Sequence, residues 1–195
     1  DYSVSLESLA GIYEAMNQLD NALGYYQEAF EICKQLKAAY PKNTNYLRDY
    51  SVSLSKVAGI YEAMNQLDNA LGYYQEAFEI CKQLKAAYPK NTNYLRDYSV
   101  SLNQVARIYK AMNRLDNALG YYQEALEIRK QLKVAYPENP NYLRDYSVSL
   151  ESLARIYEAM NQLDDALGYY QEALEIFKQL KAAYPENPNY LRDYS

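Results

Sequence analysis

Along the opening of the chain the apolar positions Leu6, Leu9, Ala10, Tyr13 and Met16 recur at the i, i+3, i+4, i+7 spacing that places them on one face of a helix, here termed helix A. Asn17-Gln18-Leu19-Asp20 interrupts it, with Asp20 the expected N-cap of a second helix. Helix B then carries Ala22, Tyr26, Ala29, Cys33, Leu36 and Tyr40 on one stripe and stops at Pro41. It should run about 20 residues, or roughly 30 Å. The segment PKNTN, PENPN in the later part of the chain, is a turn cluster, and Asn139-Pro140 and Asn187-Pro188 read as an N-cap followed by a first-turn proline. Each further helix A is therefore expected to begin near Thr44, Thr92, Pro140 and Pro188.

The whole pattern is repeated. AMNQLDNALGYYQEA, Ala15 to Ala29, returns with few changes at Ala63, Ala111 and Ala159. DYSVSL begins at Asp1, Asp49, Asp97 and Asp145, so the period is 48 residues and the units are 1–48, 49–96, 97–144 and 145–192, with 193–195 resuming a fifth helix A. The first two units differ only at Glu7/Ser55, Ser8/Lys56 and Leu9/Val57. Such near-identity means recent duplication or deliberate construction, and the cysteines, paired tyrosines and helical glycines favour a natural array. Residues 1–195 are expected to form a single array, a segment of a longer one.

Leu6, Leu9, Ala10 and Tyr13, followed by Leu19, Ala22, Tyr26 and Ala29, resemble the signature of the tetratricopeptide repeat. It recurs as Leu54, Val57, Ala58, Tyr61, Leu67, Ala70, Tyr74 and Ala77, and again through Tyr109 and Tyr122, and through Tyr157 and Tyr170. The resemblance implies an all-α fold, a right-handed α-solenoid of stacked antiparallel helix pairs. The alanines would let helix axes approach closely while the aromatics fill the space between them. The usual unit is about 34 residues, so the extra length should extend both helices, as in the long variants of bacterial multidomain signalling proteins. Asn17 stands where the family often has glycine and tolerates the same left-handed conformation. Gly24, Gly72, Gly120 and Gly168 each cost about 1 kcal/mol of helix propensity, which predicts a close backbone contact there.

Composition narrows the chemistry. Half the residues are apolar, the formal charge is -5, and no apolar run approaches the roughly 18 residues needed to cross a bilayer. No leader is visible before Asp1, so the cytoplasm is the default location. Cys33 and Cys81 hold the same place in adjacent units, at least ~8–10 Å apart if helices pack normally, which is too far for a disulfide. They read as semi-buried thiols whose counterparts are Arg129 and Phe177. With no histidine there is no His-based triad and no His-containing metal site, so no enzyme, cofactor or metal is expected. The acidic balance argues against nucleic acid, and the tyrosines read as packing rather than a stacking platform.

Candidate function lies where the units differ. On helix A the differences fall at Glu7, Gly11, Glu14 and Gln18; at Ser55, Gly59, Glu62 and Gln66; at Asn103, Arg107, Lys110 and Arg114; and at Glu151, Arg155, Glu158 and Gln162. Their i, i+4, i+7, i+11 spacing confines them to a stripe about 60° wide, opposite the Leu6/Leu9/Tyr13 face. In proteins the chain resembles, that stripe lines a concave groove that holds peptides. A solvated face drifts as well, but the third unit is a basic island between acidic or neutral neighbours. Arg107, Lys110, Arg114 and Arg155, with Lys56, could hold an acidic peptide or terminal carboxylate by charge-assisted hydrogen bonds, while Glu14, Glu62 and Glu158 exclude acidic partners elsewhere. Asn103 and Arg107 are the nearest analogues of the carboxylate clamp of some family members, whose full pattern is not reproduced. The expected partner is a protein or peptide, without nucleic acid or membrane. The competing expectation is a structural spacer whose uncapped ends stack head to tail.

Overall fold

The computed structural model describes residues 2–186, and every element among them is helical. The chain divides into two compact units at Met112/Asn113. The first holds α1 (Tyr2–Ala15), α2 (Leu19–Ala39), α3 (Thr44–Ala63), α4 (Leu67–Ala87) and α5 (Thr92–Ala111); the second holds α6 (Leu115–Ala135), α7 (Pro140–Ala159) and α8 (Leu163–Ala183). In the first unit each helix packs on the next in sequence, and in the second α6 packs on α7 and α7 on α8. Short connections between long helices force antiparallel neighbours. Helices α3, α5 and α7 start where the turn clusters predict. Asn43 Oδ1 accepts from the amides of Asn45 and Tyr46, Asn91 Oδ1 from Asn93 and Tyr94, and Asn139 Oδ1 from Asn141, with Pro140 in the first turn. Asn187, Pro188 and the fifth helix A expected at 193–195 lie outside the described residues.

The tight turn from helix A to helix B corrects one expectation. Asn17 takes the left-handed conformation at φ 57°, its amide donates to Glu14 O at 2.9 Å, and the Gln18 amide donates to Tyr13 O at 2.8 Å. This pair of bonds is the Schellman arrangement, repeated at Asn65 and Asn161. Gln18 thus closes one helix and opens the next as its N-cap, with no side-chain capping bond, and Asp20 falls inside the first turn. There it is favoured by the helix dipole rather than acting as the cap.

The cores are built as the stripe predicts, with exceptions at Leu9 in the middle of α1 and at two stripe ends. Ala10, Ala22 and Ala29 are fully buried, as are Leu54, Val57, Ala58 and Ile60, and Phe30 and Tyr50 stack with ring centroids 5.4 Å apart. In the second unit Tyr146, Leu150, Ile176, Phe177 and Leu180 pack together. Met16 and Tyr40, expected on the apolar stripe, are exposed: Met16 follows the first helix, which no described helix precedes, whereas Met64 one repeat on packs against the core, and Tyr40 lies beyond the end of α2. Tyr40 packs instead against Tyr46 across the connecting turn, at 5.5 Å between centroids. Cys33 and Cys81 are free and buried, 7% and 5% exposed, rather than semi-buried. The close contact expected at the helix B glycines is absent: a Cβ on Gly24, Gly72, Gly120 or Gly168 would meet nothing within 4 Å, since each lies on the solvent side of its helix.

Candidate partner-binding face

The variable stripe of helix A is where consecutive repeats meet through polar side chains. In the first unit Lys56 Nζ of α3 lies 2.6 Å from Glu7 Oε2 of α1. One repeat on, Ser55 Oγ donates to Gln104 Oε1 of α5 at 3.2 Å. Arg48 of α3 grips Asp97 of α5 through Nε at 2.5 Å and a terminal nitrogen at 3.1 Å. Between α3 and α5 a cleft of about 300 Å³ is lined by Ser51, Val52, Ser55, Lys56, Asp97, Val100 and Gln104, with the Cys81 thiol of α4 beneath. Burial pushes that thiol up from its ordinary value, so it stays protonated and poorly nucleophilic at neutral pH.

A second polar pattern ties helix B to the same stripe. The hydroxyl of Tyr26 donates to Glu14 at 3.2 Å, that of Tyr74 to Glu62 at 3.2 Å and, in the second unit, that of Tyr170 to Glu158 at 3.1 Å. Arg107 of α5 completes one of these pairs: it donates to Glu62 Oε2 at 2.6 Å and to the Tyr74 hydroxyl oxygen at 3.0 Å, with its guanidinium 5.9 Å from the centre of the Tyr74 ring. Burial, the Glu14 carboxylate and nearby Glu7 push Tyr26 up to about 12. Tyr74 also rises to about 12, mainly through burial, although Arg107 pulls it downward. Burial alone would lower Arg107, but Tyr74 and Glu62 outweigh it and the guanidinium is held more firmly charged.

The remaining candidates are placed as follows. Gly11 and Gly59 leave room beside tyrosine hydroxyls: a Cβ there would lie 3.7 Å from Tyr26 Oη and 3.6 Å from Tyr74 Oη. Asn103 Oδ1 is buried without a hydrogen-bond partner. Lys110 is half-buried on α5, and its side chain makes no ion pair among the described residues. In the second unit Arg114 is the exposed N-cap residue of α6, and Arg155 lies 3.9 Å from Glu151, one turn away on α7. Lys56 and Arg107 are therefore already charge-paired, while Lys110 and Arg114 have no ion pair among the described residues. Sequence reasoning missed Arg48, Asp97 and Gln104. Arg48 and Asp97 recur unchanged in every unit and so resemble scaffold, whereas Gln104 lies one residue off the stripe. It also missed that Arg129, at the cysteine position, is buried and donates to Asp145 O at 2.9 Å and Ser149 Oγ at 2.8 Å.

Among the described residues no group of three or more metal-ligating side chains forms a metal site, and no helix is long and apolar enough to cross a membrane. Models described as tetratricopeptide repeat match residues 5–39, 49–131 and 149–183. No curated protein matches the chain. Similar solved structures include BtubC (BKLC) from P. vanneervenii, at 21% identity and a TM-score of 0.69 over 95% of this chain and 65% of that one. The apo form of RapI is similar over 91% of this chain and 56% of its own, at 17% identity and a TM-score of 0.70. A Podosopora anserina protein described as a kinesin light chain with nearly identical TPR-like repeats matches at 23% identity and a TM-score of 0.59, over 96% of this chain and 78% of its own. The chain thus spans less than two thirds of the length of the first two, and the likeness in all three is one of fold. With helix pairs joined by left-handed Asn turns, buried small residues where the helices meet and matched models along most of its length, the chain is an all-α solenoid that belongs to the tetratricopeptide repeat family.

Proposed function

We propose that this array is a non-catalytic protein-interaction scaffold that holds a peptide or extended partner segment against the helix A face. The observation that carries the reading is the α3/α5 cleft: its lining includes the variable positions Ser55, Lys56 and Gln104, set on a framework of invariant Arg48–Asp97 pairing. Variation at a lined surface on a fixed scaffold is what partner selection requires. Glu62 already takes the charge of Arg107. An acidic partner segment near the third repeat therefore relies on Lys110 of the first unit or on Arg114 of the second, the candidate bases without an ion pair among the described residues. Two free buried thiols suit a reducing compartment such as the cytoplasm. The test is a peptide-array screen at low and moderate salt, comparing the chain with Lys110→Glu/Arg114→Glu after circular dichroism has shown intact helices. Acidic peptides should bind the parent and lose binding to the variant; equal binding to both would sink the acidic-partner assignment.

A structural reading is favoured by a different observation. Tyr2, Leu9 and Ile12 of α1 are 63%, 37% and 58% exposed, whereas Tyr50, Val57 and Ile60 at the same repeat positions are 4%, 0% and 0% exposed beneath α2. Helix α8 leaves Leu167 and Leu174 exposed at 55% and 42%. A second copy's α8 could cover α1 as α2 covers α3, giving head-to-tail assembly. Light scattering tests this directly, since a monomer at high concentration removes it.

A further inference from the structure

Arg107 fills a socket whose counterpart one repeat earlier is open. The filled socket consists of Glu62, the Tyr74 hydroxyl and the Tyr74 ring, all of the second repeat, and the arginine reaches in from position 11 of the third. The first repeat presents the same groups in the same relation, because the Tyr26 hydroxyl donates to Glu14 at 3.2 Å just as Tyr74 donates to Glu62 at 3.2 Å. The residue that would reach in from the second repeat is Gly59, which has no side chain. Exposure follows the difference: Glu14 is exposed where Glu62 is partly covered, and Tyr26 is 8% exposed where Tyr74 is 2%.

From this internal template we infer that the Glu14–Tyr26 socket, which receives no side chain from position 59, is a binding site for an arginine side chain of a partner peptide. A guanidinium there would donate to a Glu14 carboxylate oxygen and to the Tyr26 hydroxyl oxygen while lying against the Tyr26 ring, as Arg107 does in cis. The neighbouring charges favour a cation. Lys56 stands 5.9 Å from the centre of the Tyr26 ring, but its ammonium is committed to Glu7 at 2.6 Å, which leaves Glu14 as the uncompensated charge. Around the filled socket the corresponding positions are Ser55 and Gln104, which are uncharged. Arginine suits the site better than lysine because its planar guanidinium holds its donors in a fixed geometry and lies against an aromatic ring. This inference rests on the helix A face being a partner-binding surface, and it assigns that face a basic anchor at the first two repeats.

The test uses N-acetyl-arginine amide as the probe, titrated into the 195-residue chain and followed by amide NMR, with N-acetyl-citrulline amide as the neutral control. The expected result is a saturable shift at the Gly59 amide with a dissociation constant on the order of millimolar, and no such shift with citrulline. Glu14→Gln should weaken binding by roughly tenfold, the loss of one charge-assisted bond. Gly59→Arg should abolish binding by filling the socket in cis, while Arg107→Gly should add a second equivalent. Gly59→Arg keeps the helix, since a Cβ at that position makes only an ordinary contact of 3.6 Å with the Tyr74 hydroxyl. No saturable shift at Gly59, equal response to citrulline, or unchanged binding by Gly59→Arg would each overturn the inference. The acidic-peptide readout of the Lys110→Glu/Arg114→Glu variant is independent. Acidic-peptide binding that persists while arginine binding fails would reject the socket and leave the scaffold reading standing.

Discussion

Ile12 and Ile60 occupy the same position of two repeats with nearly the same sequence, yet Ile12 is 58% exposed and Ile60 is 0% exposed. The difference is the helix that precedes each: α2 packs on α3 and covers Ile60, whereas among the described residues no helix precedes α1. Ile60→Ala should therefore lose about 2–5 kcal/mol of stability, a lost buried side chain plus a cavity, and Ile12→Ala should lose less than about 1 kcal/mol. Urea unfolding of the two variants measures the contrast, and equal losses would mean that α1 is covered in solution.

The turn at Asn65 separates backbone from side-chain effects. Its φ of 59° is the left-handed region, where an alanine costs about 1–2 kcal/mol and a glycine nothing comparable. Asn65→Ala should accordingly lower the unfolding free energy by about that amount, while Asn65→Gly should leave it within a few tenths of a kcal/mol. Parallel thermal melts decide the matter, and a glycine variant as unstable as the alanine one would point to a side-chain role.

The exposed helix B glycines leave room for stabilisation. Because a Cβ on Gly72 meets nothing within 4 Å, Gly72→Ala should gain about 0.5–1 kcal/mol through helix propensity alone. Matching changes at Gly24, Gly120 and Gly168 should add, as distant sites do. A loss of stability on chemical denaturation would show that a hidden contact exists at these positions.

Alkaline pH should unfold the array through its tyrosines. Tyr26 and Tyr74 are each raised from 10.0 to about 12, so the folded state holds these protons more tightly than the unfolded chain. Their contribution is fully present below pH 10, shrinks as the pH climbs past the unfolded value and is gone above about 12. Stability should be insensitive to these groups between pH 7 and 9 and fall beyond about 10. Tyrosinate absorbance should rise later in the native protein than in urea; coincident titrations would refute the shift.

Much of the architecture was legible in the residues themselves. The period, the helix pairs, the Asn caps at Asn43, Asn91 and Asn139 and the left-handed turn at Asn17 all follow from local chemistry acting within a few residues. Buried alanines and tyrosines could be named because a face that repeats every turn must meet another face. Some misassignments fall at element ends, where local pattern is weakest: Tyr40 continues the apolar stripe beyond its helix, and Asp20 is displaced from the cap by a turn tighter than expected; the contact expected at the helix B glycines failed because propensity alone does not say which face meets a neighbour.

Tertiary structure alone decided which charges are free. The sequence marks Arg107 and Lys110 as variable bases on one stripe with Lys56 beside it, but it cannot say that Lys56 meets Glu7, or that Arg107 meets Glu62 and Tyr74 one repeat back. These partners lie 33 to 49 residues away along the chain and are brought within hydrogen-bond reach only by the stacking of successive helix pairs. The open Glu14–Tyr26 socket has the same origin. Glycine at position 59 is a plain sequence fact, but its consequence appears only in the fold, where the arginine at the equivalent place one repeat on reaches a carboxylate and a hydroxyl. Local propensity and periodicity act through neighbouring residues and can be read in order, whereas charge compensation depends on distances that exist only once the chain has folded.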